Sequence, residues 1–306
     1  ADVDAKKQKV ASDLAAMNAA AAQIITLSSV PEEEMDTPAL EAAVSTITSH
    51  LPEMSKDVKI IASLMEDEDR SKKLIDAAKQ LCKAFSDLLK AAEPGKAPKT
   101  GMLQAANKVG EASSSLLHTI GEEDEFDKET GDILLAIAKG VANAAASLVR
   151  KAKDVASVCD DEDLQRKVIG SAAECAMATN QLVTTAKVVA PTIQDPSCQN
   201  RLMDCCRELA KAVENMLKQC QLSVKDPRLI DDLKAAAAAV TAALKDLLNH
   251  IRSVEDHKAQ RITEDEKAVD TILEASDKIC KSTGDANEMI KQARILAQAT
   301  SQLIND

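Results

Sequence analysis

The side chains best suited to chemistry in this sequence are eight cysteines, four histidines and fifty carboxylates. The cysteines are Cys82, Cys159, Cys175, Cys198, Cys205, Cys206, Cys220 and Cys280, and no two of them form a C-x-x-C pair. Neither they nor His50, His118, His250 and His257 stand at zinc-ligand spacing. Most of the cysteines fall among apolar helical positions, where a free thiol packs as a small hydrophobe. Eight reduced thiols are expected, as in a cytosolic protein. Carboxylates gather in runs such as Asp67–Asp69 and Asp160–Asp163, where predicted helices begin and negative charge favours the helix dipole. His250 and His257 keep polar company and read as surface residues. There is no glycine-rich phosphate loop, no HExxH and no GxSxG. The reading is a non-enzyme with no catalytic, metal or cofactor-binding residue.

Composition then says what elements the chain builds. The 306 residues include two phenylalanines and no tyrosine or tryptophan. Sheet cores lean on aromatic and β-branched residues, whereas alanine, leucine, lysine and glutamate dominate here. The fold class is all-α. The net charge of −12 is spread over both halves, −7 in residues 1–158 and −5 in 159–306. Neither half offers the basic stripe that a phosphate backbone requires, so nucleic acid is not an expected partner. No uninterrupted apolar run approaches the ~18 residues of a membrane span, and no signal peptide precedes the first helix. Direct membrane insertion is not expected. The chain starts without methionine and stops in mid-pattern, so it reads as a piece of something longer.

Periodicity and punctuation predict nine helices. The first spans about Asp2–Leu27. The second spans about Pro38–Met65 with Thr37 as its cap, and Pro52 should kink or split it. The third runs from about Arg70 to Ala92, where the Pro94–Pro98 loop ends it. The fourth follows over 99–121, and the fifth runs from about Asp127 to Ser157. The sixth runs from about Asp161 until Pro191 stops it. Asp195-Pro196 and Asp226-Pro227 start the seventh and eighth, and a Thr263–Glu266 capping box starts the ninth, with Gly284 near its centre. The acidic cluster at 160–163 sets a boundary near Cys159. A five-helix bundle over 1–158 and a four-helix bundle over 159–306 are expected, each folding by itself.

The fourth helix, KTGMLQAANKVGEASSSLLHTIG, has an apolar face broader than the ~100° stripe a surface helix needs. On a wheel of about 100° per residue, Met102, Leu103, Ala105, Ala106, Val109, Gly110, Ala112, Leu116, Leu117 and Ile120 share one half. Such a face suits a bundle core or the groove of another protein. Ser113 alone is polar on that side, so Ser113→Ala is expected to stabilise the closed bundle.

MLQAANKVGEASSSLL (102–117), LVTTAKVVAPTI (182–193) and GDANEMIKQARILAQATSQLIN (284–305) resemble the start of the rod in the talin family. The resemblance covers essentially the whole chain. It implies a five-helix bundle followed by a four-helix bundle in a mechanosensitive adaptor of cell–matrix adhesions, on the cytoplasmic side of the plasma membrane. Integrin and actin would be engaged through other parts of the full-length protein. Helices that bind the vinculin head in this family carry a spaced Leu, Ala-Ala, Val, Ala, Leu-Ile signature. In the fourth helix Leu103, Ala106, Val109, Ala112, Leu116, Leu117 and Ile120 match it. In the sixth, Ile169, Ala172, Ala173, Ala176, Leu182, Val183 and Ala186 correspond. In the ninth, Ile272, Ile279, Met289, Ala293, Leu296 and Leu303 fit less tightly. The small-GTPase effector adaptor RIAM is a further partner that the resemblance implies. The alternative is a helical-bundle scaffold of the vinculin/catenin or spectrin type that does not bind vinculin. A spectrin array usually has a core tryptophan, which this chain lacks.

Overall fold

A computed structural model describes residues 2–93, 100–123, 125–281 and 286–305, without the side chains of residues 100, 279–281, 286 and 302–305. Among the described residues every regular element is helical: α1 (Asp2–Leu27), η1 (Glu32–Glu34), α2 (Thr37–Ser63), α3 (Glu68–Ala91), α4 (Thr100–Ile120), α5 (Glu125–Ser157), α6 (Glu162–Val189), η2 (Ala190–Thr192), α7 (Pro196–Ser223), α8 (Pro227–Lys281) and α9 (Ala286–Asn305). The chain forms two compact units, Ala1–Ile251 and Arg252–Asp306.

Aspartate begins most of these helices. Asp67, Asp161 and Asp195 each accept a hydrogen bond from backbone N–H groups of the first turn. Asp36 does so for α2, through Ala39 N at 3.2 Å, so Asp36 and not Thr37 is the cap. At the C-terminus of α4, Gly121 adopts φ +81°, a left-handed conformation that favours glycine. Its N–H reaches His118 O at 3.1 Å and that of Glu122 reaches Leu117 O at 2.9 Å, which closes a Schellman motif.

Pro52 lies inside one continuous α2. The preceding turns carry their own side-chain bonds: Thr46 and Ser49 hydroxyls donate to Ala42 O and Thr46 O, and His50 Nδ1 lies 2.7 Å from Thr46 O. These bonds brace the turns that lead into the proline.

Within the larger unit α1 pairs with α2 and α3 with α4, and the pairs join through α2–α3 and α1–α4. The fifth helix keeps other company. α5 lies along α6, meets α7 and η2, and has no comparable packing with α1–α4 among the described residues. Among the described residues the change of packing partners falls between α4 and α5, whereas the sequence suggests a boundary near residue 158. The two groups meet where α1 and α4 touch α6, α1 touches α7, and η2 rests on α1 and α4. Placed there, α1 is buried on nearly every side from Val10 to Ile25, which its alanine-rich sequence permits.

α1 and α5 each contain an eighteen-residue window apolar enough to cross a membrane, contrary to the expectation from uninterrupted runs. Alanine supplies much of that apolarity. Two-thirds of the α1 window and one-third of the α5 window are buried among other helices. Packing accounts for the first.

The expected start of a ninth helix at Thr263 is absent. Residue 263 is interior to the 55-residue α8, and its hydroxyl donates to Ala259 O at 3.0 Å instead of capping. No helix-breaking residue lies between Pro227 and Lys281, and an i−4 acceptor is available to the threonine, so the helix continues. In the smaller unit the end of α8 and α9 bury Ala268, Ala275, Gln292 and Ala299. Gly284 lies outside the described residues.

Candidate partner-binding helices

On α4, Ala106, Val109, Ala112, Leu116, Leu117 and Ile120 are all buried; Val109 and Leu116 have no exposed surface. Leu103 departs from the expectation and is 44% exposed. It lies one turn from the start of the helix, beside Met102, Ile25 and the exposed Met177, in a groove of about 520 Å³. One flank of α4 is covered by α3 and another by α6 and η2.

The covering differs in kind on the two sides. Towards α6 the contact is made by backbone. A Cβ built on Gly110 would overlap the carbonyl oxygen of Lys187, so only glycine lets the two helices approach this closely. Beside it lies a buried polar cluster that the apolar pattern conceals. Asn18 Nδ2 donates to Ser113 Oγ at 3.4 Å and to Thr192 Oγ1 at 3.3 Å. Thr192 Oγ1 is also 3.2 Å from Cys198 Sγ, whose thiol donates to Ala15 O at 3.5 Å. Asn18, Ser113 and Cys198 are wholly buried. Ser113 is therefore a hydrogen-bond partner, not an isolated polar intruder, and the expected gain from Ser113→Ala is reversed. The sequence signal for this cluster is Asn18 itself, a lone amide in an alanine-rich run.

On α6, Ala172, Leu182 and Ala186 are buried, Ala176 and Val183 half-buried, and Ile169 and Ala173 exposed. The signature positions thus lie on a helix whose core-facing line is shifted towards Val168, Cys175 and Thr179. In the smaller unit Ile272 and Leu296 are half-buried, and Met289 and Ala293 exposed. The side chains of Ile279 and Leu303 lie outside the described residues. The structure therefore gathers six of the seven α4 positions into one buried face, three of the seven α6 positions, and none of the four described α9-region positions.

The described cysteines are free thiols, and Cys280 lies outside the described side chains. Burial pushes the thiols of Cys175 and Cys220 up to about 11 and those of Cys198 and Cys206 up to about 12. Cys205 is raised for the same reason, against an opposing hydrogen bond with Thr185. A thiol held neutral in this way is a packing group and not a nucleophile.

The arrangement defines a class: an all-helical bundle segment in which α4 keeps its apolar face inside. Family models describe its parts. "Talin, middle domain" matches residues 1–117, "Talin IBS2B domain" matches 124–223 and 159–254, and "Talin VBS2 domain" matches 261–306. Talin-2 of Homo sapiens is 44% identical over 305 residues, Talin-1 of Gallus gallus 45% over 305, and Talin of Oscarella pearsei 42% over 304. Each alignment covers 99% of this chain and 12% of the relative. The chain belongs to the talin family, within the rod. The seam between the first two matches, at 117–124, coincides with the change of packing partners between α4 and α5.

Proposed function

We propose that this chain is a tension-sensitive part of a cytoskeletal adaptor, in which α4 binds the head of vinculin once its bundle opens. The observation that carries the reading is the complete burial of Val109, Leu116 and their neighbours on a helix whose apolar half is wider than a surface stripe. One face cannot pack in two places, so partner binding and closure exclude each other. Tension favours the open form because an extended residue spans ~3.3–3.6 Å, against 1.5 Å along a helix.

α6 and the α8–α9 region are secondary vinculin-binding candidates. The match of residues 261–306 to a talin VBS2 domain supports the latter. Integrin and actin linkage belong to other parts of the full-length protein, and RIAM is a further candidate partner of residues 159–306. The chain acts without catalysis, in the cytoplasm at adhesions.

The test compares vinculin-head binding to the α4 peptide and to the intact chain. The peptide should bind tightly and the intact chain slowly, with the gap closing on warming. Leu116→Ala should weaken the peptide by about 1–3 kcal/mol, since a buried leucine is a typical groove anchor. The same change should destabilise the closed chain by about 2–5 kcal/mol through the cavity it leaves. A peptide that does not bind the head refutes the proposal.

A further inference from the structure

The contacts of this chain point to a first step in opening α4 that leaves its own group of helices folded. α4 is closed by its own group through α3 and by the other group through the end of α6 and η2. On the second side the Gly110–Lys187 approach is backbone against backbone, and it tolerates no added atom. Two groups of helices are pinned together beside it by the Asn18 amide, which donates to α4 through Ser113 and to η2 through Thr192. Among the described residues Asn18 Oδ1 has no hydrogen-bond partner, so the two bonds that the buried amide donates hold it in place.

We propose that residues 184–193, the end of α6 and η2, act as a lock on α4, so that the group of α5, α6 and α7 must lift from α1 and α4 before a partner reaches α4. This builds on the reading of α4 as the partner helix. Lifting separates close-packed surfaces and one buried polar cluster while the α1–α2 and α3–α4 pairs stay intact, so it disrupts fewer contacts than melting α1–α4. A partner seated on α4 then keeps the lock from closing.

The experiment uses the full chain with two variants, Gly110→Ala and Thr192→Val. The first forces the helices apart; the second is nearly isosteric and removes the hydroxyl that accepts from Asn18. Amide hydrogen exchange is read without any partner, and association of the vinculin head is read separately. The lock predicts that Gly110→Ala raises exchange over 106–117 and 184–193 together, while α2–α3 keep their protection. It also predicts head association faster by roughly tenfold or more, the scale expected from overpacking a close contact. Thr192→Val should change both in the same direction by a smaller factor.

The proposal is overturned if residues 184–193 loosen while α4 exchange stays at the wild-type rate. Should Gly110→Ala unfold the whole chain, Thr192→Val decides alone, and unchanged α4 exchange in that variant overturns the proposal. The α4 peptide, with and without Gly110→Ala, separates the two readings. If neither peptide binds the head, the vinculin assignment fails while the exchange data still decide the lock.

Discussion

Asn18 shows how one side chain changes the meaning of its neighbours. Its amide has two N–H groups, and the structure gives each one hydroxyl acceptor, Ser113 and Thr192. Ser113→Ala therefore leaves a buried donor unmatched, a loss of about 1–3 kcal/mol. A urea titration should show a lower midpoint with unchanged slope; a higher midpoint would mean that the amide is satisfied elsewhere. Asp13 is a second buried polar group with a measurable consequence. It lies on α1 near His50, Glu53 and Asp57 of α2 and Lys9 of its own helix, and its Oδ2 has no hydrogen-bond partner among the described residues. Burial raises its carboxyl above the ordinary range, with His50 and Lys9 opposing and Glu53 and Asp57 assisting. Lys6 and Lys9 instead each approach Asp57 at 3.5 Å. A raised carboxyl binds its proton more tightly folded than unfolded. The associated stability is present below the unfolded value of about 3.9 and lost as pH rises through the folded value. Asp13→Asn should therefore melt higher than wild type at pH 7, and the difference should shrink as the pH is lowered towards that window. A difference independent of pH would place the effect in packing and not in titration.

Among the elements, much of the architecture was legible because alanine, leucine and aspartate each have one dominant use here. Helix existence followed from period and from aspartate caps; α6, α7 and the start of α8 lie where Asp161, Asp195-Pro196 and Asp226-Pro227 put them. Six of seven α4 positions are buried because a wide apolar face on a helix has to be covered. Which helix covers it was not legible. Alanine-rich faces of similar width fit several partners, so periodicity could not assign α5 to α6 and α7. Nor could it reveal the Gly110–Lys187 approach, since a glycine inside a helical pattern looks the same whether or not another backbone touches it. Thr263 failed for a local reason: Thr-x-x-Glu is a cap only if the chain breaks there, and within a continuous helix the hydroxyl bonds back to Ala259 O. The two states give opposite signs under substitution. Within a continuous helix Thr263→Ala should stabilise by up to about 0.7 kcal/mol, through propensity. As an N-cap, its loss would cost about 1 kcal/mol. Helicity of a peptide spanning 250–281, with and without the change, measures which holds.

At the scale of the whole chain, the placement of α5 decides where it can be cut. The apolar side of α5 includes Leu134, Ala138, Val141, Ala145, Leu148, Ala152 and Val155, all buried, and its neighbours include α6, α7 and η2. Truncation after residue 158 retains α5 but removes those neighbours. A cut after residue 121 instead follows the Schellman turn at Gly121, where the backbone already reverses, and it leaves α5 with its neighbours. Both cuts break the Asn18–Thr192 link, so that loss does not distinguish them. The distinguishing quantity is the apolar face of α5, whose seven side chains represent several kcal/mol of burial at ~25 cal/mol/Å². Residues 1–121 and 122–306 should therefore each give a cooperative melt, with α5 amides protected in the second piece. Residues 1–158 should show α5 exchanging freely, or self-association through its exposed face. Should 1–158 and 159–306 each melt cooperatively as monomers with α5 protected in the first, α5 can pack on α1–α4. The five-plus-four division would then describe how the chain folds, and the α5–α6 pairing would be one of two arrangements open to it.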